Sequence, residues 1–206
     1  MSLNSATGQR AAQKAETRAR ILHQAKQLCA RRGFNRTRTI DVARAARVSH
    51  GAVFVHFPSR EALMSAVIAE MAREITDALH AQIAHGGSLR DVLEAHLACV
   101  EQREDEIRWL LLEGPTLPAG FSAAWIGMQS AISSYIAQQA EREMAAKRIR
   151  QMPVHLLFNT WVGLLHHYLI NRDMFAPKRS VVRVHGRALL DHFMDLVRVP
   201  TKGNSR

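Results

Sequence analysis

Apolar residues along this chain recur every three or four positions through almost its whole length. Nowhere do they alternate with polar ones for long enough to make a half-buried strand. The pattern predicts an all-α protein. Ile21, Leu22, Ala25, Leu28 and Cys29 fall on one face of a first helix over about 10–32, and Gly33 follows where a left-handed residue ends a helix. A second helix over about 39–45 turns Val42, Ala43 and Ala46 inward. Ser49 caps a third helix of two turns, which stops before Pro58 because proline disfavours helical geometry in the residue ahead of it. A long helix runs from Ser59 to about 84, where "HGGS" breaks it, and Ser88 with Asp91 makes a capping-box-like start for the next. Further helices are expected over 89–102, 104–113, 122–148, 154–172 and 180–198, separated by "EGPTLP", Pro153 and "NRDMFAPKRS". The first dozen residues and "PTKGNSR" read as disordered.

The tract "VSHGAVFVHFPSREAL" (Val48–Leu63) places valines and phenylalanines inside the most basic part of the chain. Three short helices with a tight turn between the second and third explain it, because they form a helix-turn-helix whose later helix lies in the DNA major groove. Val48, Val53 and Phe57 then pack inward, while His50, Ala52, Val55 and His56 lie toward the groove, and Gly51 and Ala52 are small enough for close approach. Charge agrees. Residues 1–60 carry twelve Lys and Arg against only Glu16 and Asp41, so the whole formal charge of +10 resides there and residues 61–206 are neutral. A basic module on a neutral body points to a polyanion partner at one end.

The run "TRARILHQAKQLCARRGFNRTRTIDVARAARVSHGAVFVHFPSREAL" (Thr17–Leu63) resembles the N-terminal domain of the TetR family of bacterial transcriptional regulators. The resemblance rests on Gly33-Phe34, Thr37, Asp41-Val42-Ala43, Val48-Ser49, Gly51, an aromatic at 54, His56-Phe57, Ser59, Glu61 and Leu63. It implies that residues 1–58 are a basic arm and DNA-binding domain, and that residues 59–206 are a helical effector-binding and dimerisation domain. It also implies contacts to duplex DNA, with Thr37, Arg38 and Thr39 at the start of the second helix meeting phosphate. Ser49, His50, Gly51, Ala52 and Val55 would meet base edges or sugars, His56 and Arg60 would contact the backbone, and Arg47 is a further candidate for DNA binding. Four positions depart from the pattern. Arg38 cannot accept the helix-terminal N–H bonds that a Ser or Thr there would, Arg47 replaces a turn glycine, Phe54 replaces a tyrosine and can only pack, and Cys29 replaces an aromatic as a small core residue.

For the body the resemblance implies a homodimer whose last two helices from each protomer form a four-helix bundle. Trp161, Leu165, Val184, Leu189, Phe193 and Leu196 are candidate interface residues, and two half-sites of a palindromic operator suit a twofold dimer. His96, Trp109, Phe121, Trp125, Met128 and Phe158 are candidates to line a pocket for a small hydrophobic or amphipathic effector. No cofactor is expected. The histidines show no HxxxH or Cys/His cluster, so no metal site is expected, and no nucleophile-base pair or phosphate-binding loop suggests an enzyme. Cys29 and Cys99 are expected as reduced thiols, and the absence of a long apolar run predicts a cytoplasmic protein with no membrane partner. The function expected is that of a ligand-released repressor, with a ligand-independent architectural DNA-binding protein as the alternative.

Overall fold

The structure, a computed structural model, describes residues 3–83, 87–117 and 119–200. Among these it is all-α, without a named strand. Helix α1 (Leu3–Arg32) buries Ile21, Ala25 and Cys29 completely, and Gly33 ends it at φ 87°, its N–H returning to the Cys29 carbonyl at 2.9 Å. Helix α2 (Thr39–Ala46) is followed by Arg47 in the left-handed conformation (φ 55°, ψ 47°), so the turn keeps the usual geometry without glycine, at some steric cost. Arg38 supplies no side-chain cap to α2, as its chemistry requires. Ser49 does cap α3 (His50–His56), accepting the Ala52 N–H at 3.1 Å, and Phe57 and Pro58 end it.

Helix α4 (Arg60–Ile83) joins two apolar cores. Leu63, Met64, Val67, Ile68 and Met71 pack into the first with Ile21, Phe34, Val42, Val53 and Phe57, whereas Ile75 belongs to the second. The two cores meet within α4, between Met71 and Ile75. The second core is built by α5 (Leu89–Gln102), α6 (Glu104–Glu113), α7 (Ala119–Ala145), α8 (Val154–Ile170) and α10 (Val181–Val197); a 3-10 turn (Gly114–Thr116) joins α6 to α7, and α9 (Arg172–Phe175) packs Phe175 against the core's edge. Helix α5 packs on α4, α7 and α10, and α8 packs on α6, α7 and α10. Ser88 and Asp91 make the expected capping box at α5. The buried Glu104 caps α10 from a distance, accepting from Ser180 Oγ and from the Val181 and Val182 N–H groups.

Three details differ from the sequence-based boundaries. Helix begins at Leu3, so Leu3–Ala12 are helical where disorder was expected; Met1, Ser2 and, of "PTKGNSR", residues 201–206 lie outside the described residues. Helix α7 starts at Ala119 rather than 122, and the short α9 lies in a segment expected as a loop.

Candidate nucleic-acid interface

Helix α3 presents one face to the interior and one to solvent. Val53 is fully buried and Phe57 nearly so, while Ser49, His50, Gly51, Phe54 and Val55 are exposed and Ala52 is half-buried. Val55, a large apolar side chain, is 70% exposed. Phe54, expected only to pack, is 41% exposed and stands edge-on to His50, ring centroids 5.1 Å apart. Ile40 on α2 adds a third exposed apolar group, and Gly51 has open space where a Cβ would stand. His50 Nε2 lies 2.9 Å from Thr39 Oγ1, so α2 orients the imidazole of α3. Arg44 on α2, and Arg38 and Arg47 at its two ends, are exposed. Apolar groups for thymine methyls, a ring nitrogen for a base edge and flanking cations for phosphate thus occur together, a combination suited to reading a duplex.

Three candidates from the sequence sit elsewhere. Thr37 is fully buried and donates its hydroxyl to the Gly33 carbonyl at 2.7 Å, which removes it from any phosphate-facing surface. Arg60 turns inward: its guanidinium donates to the carbonyls of Thr37 (3.2 Å), Phe34 (2.5 Å) and Asn35, clasping the connection between α1 and α2. His56 is half-buried with Nδ1 enclosed and unpartnered. Sequence reasoning also passed over Arg20, whose Nε donates to the Ala46 carbonyl at 3.0 Å, and Arg18, whose guanidinium lies 4.8 Å from the centre of the Phe57 ring. Their only sequence signal was membership of a basic run.

Behind this face, α6 and the 3-10 turn grip the end of α1. Trp109 Nε1 donates to the Ala30 carbonyl at 3.1 Å, the Asn35 N–H donates to Glu113 Oε2 at 2.9 Å, and Asn35 Nδ2 donates to Thr116 Oγ1 at 3.1 Å. The same segment walls a cavity of about 340 Å³ lined by Ile68, Leu110, Leu111, Gly114, Pro115, Leu117, Trp125 and Ile126. Of the sequence candidates for an effector pocket whose side chains are described, only Trp125 lines it. Trp109 is committed to α1, Met128 is buried core, and the side chain of Phe121 lies outside the described residues. Phe158 borders, with Trp125, a separate open groove.

His96 is buried and accepts a hydrogen bond from Trp161 Nε1 at 3.0 Å. Burial pushes its pKa down to about 4, assisted by the nearby His166, and burial pushes His166 down to about 4 as well. Both imidazoles are neutral at pH 7. The Cys29 thiol, enclosed in the first core, is pushed up to about 12 by burial, which leaves it unreactive. Among the described residues no cluster of His, Cys, Asp and Glu is placed to hold a metal ion, and no helix is long and apolar enough to cross a membrane.

The interface candidates on α8 and α10 separate into two groups. Trp161, Leu165, Leu189 and Phe193 are buried in the core of the chain itself, so they cannot form its outer face; Val184 is half-buried and Leu196 is exposed. The outward apolar groups of these helices are instead Leu156, Ile170 and Leu196, followed by Val199, with the bare backbone of Gly163 between the first two.

Residues 21–67 match the family described as bacterial regulatory proteins, tetR family. An HTH-type transcriptional repressor of Mycobacterium tuberculosis is 37% identical over 67 residues, covering 32% of this chain. The match spans about a third of that relative, 36% of its length. Over the whole chain the fold is that of solved TetR-family structures. A TetR-family regulator of Agrobacterium tumefaciens superposes with a TM-score of 0.75 at 15% identity, covering 90% of this chain and 100% of that one. The fatty acid degradation regulator FadR of Bacillus halodurans gives 0.71 at 13% identity, covering 87% and 99%. At these identities the likeness concerns fold alone.

Proposed function

From a chain that carries the tetR-family N-terminal domain over residues 21–67, we propose a transcriptional regulator that binds a palindromic operator as a homodimer and is released from it by a small molecule. The observation that carries the proposal is the outer face of α3, where exposed Val55 and Phe54 flank a His50 that Thr39 holds in place, among exposed arginines. His50 reads a guanine edge or its equivalent, Val55 and Ala52 meet thymine methyls, and Arg38, Arg44 and Arg47 meet phosphates. A twofold dimer spaces two such helices roughly 34–36 Å apart, one turn of DNA. Leu156, Gly163, Ile170 and Leu196 supply its apolar contact, Gly163 letting helix backbones approach closely.

The effector occupies the cavity bounded by α4, α6, the 3-10 turn and α7. Among the described residues its wall carries no charged side chain, which suits an apolar or amphipathic molecule. Gly114, Pro115 and Leu117 of that wall adjoin Glu113 and Thr116, the residues that hold Asn35 at the foot of the DNA-binding domain. A ligand that fits only when this segment moves outward loosens the hold on α1, and by linkage it weakens DNA binding by the factor by which it prefers the loosened state.

Selection of the purified protein on a random duplex pool, followed by salt titration on the enriched sequence, tests the proposal. Enrichment of an inverted repeat supports a dimeric sequence reader and supplies the DNA for an effector screen. Retention that depends on salt but enriches no sequence would replace it with an architectural DNA-binding role.

A further inference from the structure

Helix α1 extends well past the core it serves. From Gly8 to Arg20 no side chain is buried, and Ile21 is the first buried one after them. Gly8 to Glu16, the nine exposed positions ahead of the half-buried Thr17, make about 14 Å of helix beyond the packed domain at 1.5 Å per residue. The contacts of the same helix fix where it points. Ala30 and Gly33, at its C-terminal end, lie against Trp109 and Glu113 of the body. Farther back, Arg20 is bonded to the end of α2 and Arg18 is stacked on Phe57 at the end of α3. The exposed turns therefore leave the domain on the side away from the body, past the proposed DNA-reading helix.

The chemistry of this extension follows a register. Arg10, Lys14, Arg18, Ile21, Ala25 and Cys29 succeed one another at intervals of four, four, three, four and four, so they share one face of α1. That face is apolar where it meets the core and cationic where it leaves it. Ala11, Ala15 and Ala19 occupy a neighbouring side, and Glu16 lies away from the cations.

We propose that residues 8–18 of α1 form an accessory DNA-binding arm, with Arg10 and Lys14 laid against phosphates of the duplex flanking the stretch read by α3. The inference rests on the proposed function and adds a second contact region to it. Charge complementarity and continuity carry it: the cationic face runs through Arg18 directly into the α3 surface, and the Arg18–Phe57 stack sets the rotation that keeps Arg10 and Lys14 on that side. A helix this exposed has little to stabilise it in water alone, and a polyanion along its cationic face supplies what packing does not.

The test uses the full chain and the double variant R10Q/K14Q, which preserves helix propensity and leaves Arg18 on Phe57. Affinity is measured against salt on two duplexes carrying the enriched site, one trimmed to it and one extended by about ten base pairs, a helical turn, on each side. The wild type binds the extended duplex more tightly and with a steeper salt dependence. The variant loses that excess, its slope falling by about 1.8 per protomer for two phosphate contacts, with unchanged binding to the trimmed duplex. Identical curves for variant and wild type on the extended duplex would overturn the arm, as would an equal loss on both duplexes, which is a general field effect. A change in oligomeric state in the variant would overturn it too, by making the arm a contact between protomers. If the wild type binds no duplex at all, the failure belongs to the regulator reading instead.

Discussion

Arg60 shows how a single residue can carry charge into a basic surface and spend it inside. Its guanidinium donates to three carbonyls of the segment between α1 and α2, and hydrogen bonds from a charged donor contribute more than neutral ones. Arg60→Ala is expected to lower the unfolding free energy by about 2 kcal/mol, and Arg60→Lys to recover little of it because an ammonium cannot span the same acceptors. Denaturant unfolding of the two variants checks this; a Lys variant as stable as wild type would return Arg60 to a simple electrostatic role. Gly33 is the second such position. It holds φ 87°, and a Cβ there would sit 2.4 Å from Glu113 Oε1. Gly33→Ala should therefore cost about 2 kcal/mol, part backbone strain and part collision. In the Glu113→Ala background the cost falls to the strain and the 3.0 Å approach to Trp109 Cε3, and a double-mutant cycle with no coupling would contradict the contact with Glu113.

At the scale of elements, α10 depends on a cap borrowed from α6. Glu104 accepts from Ser180 Oγ and from two N–H groups at the start of α10, satisfying donors that otherwise remain unpaired. Glu104→Ala should destabilise the body by about 3 kcal/mol, and hydrogen exchange should locate the loss at Val181 and Val182. The cap was not legible in the sequence, because Glu104 read only as an acidic first turn and its partner lies more than seventy residues on. What was legible was local. Gly33, Ser49, Pro58 and the Ser88–Asp91 pair mark their helix ends within a few residues of themselves, and the structure keeps all four ends close to where they were expected. The face of α3 was also legible, since Val53 and Phe57 must turn inward if Val55 turns out. The faces of α8 were not: apolar residues surround it, and only its neighbours decide that Trp161 lies in the core while Leu156, at 53% exposure, lies outside. Thr37 and Arg60 misled for the same reason, both having partners that only the tertiary fold supplies.

For the whole molecule, the two depressed histidines set a pH dependence. Their folded-state pKa values are lowered from 6.5 to about 4, so their contribution is complete above pH 6.5 and is lost as pH falls from there toward 4. Between pH 7 and pH 5 each should remove roughly 2 kcal/mol of stability. Urea midpoints at the two pH values check this, and the drop should shrink in His96→Gln/His166→Gln, whose side chains do not titrate. Sedimentation of wild type against Leu156→Asp and Gly163→Arg tests the proposed dimer, with both variants expected as monomers that keep helical content; unaltered dimers would place the contact elsewhere. The sharing of α4 between the two cores has a further consequence for how the chain folds and fails. Because Leu63, Met64, Val67, Ile68 and Met71 complete the first core while Ile75 anchors the next turns of the same helix in the second, neither half has an interior of its own that ends at a linker. The pair should melt in one cooperative step, a fragment ending at Pro58 should remain unfolded, and a protease that nicks α4 should cost the protein both halves together.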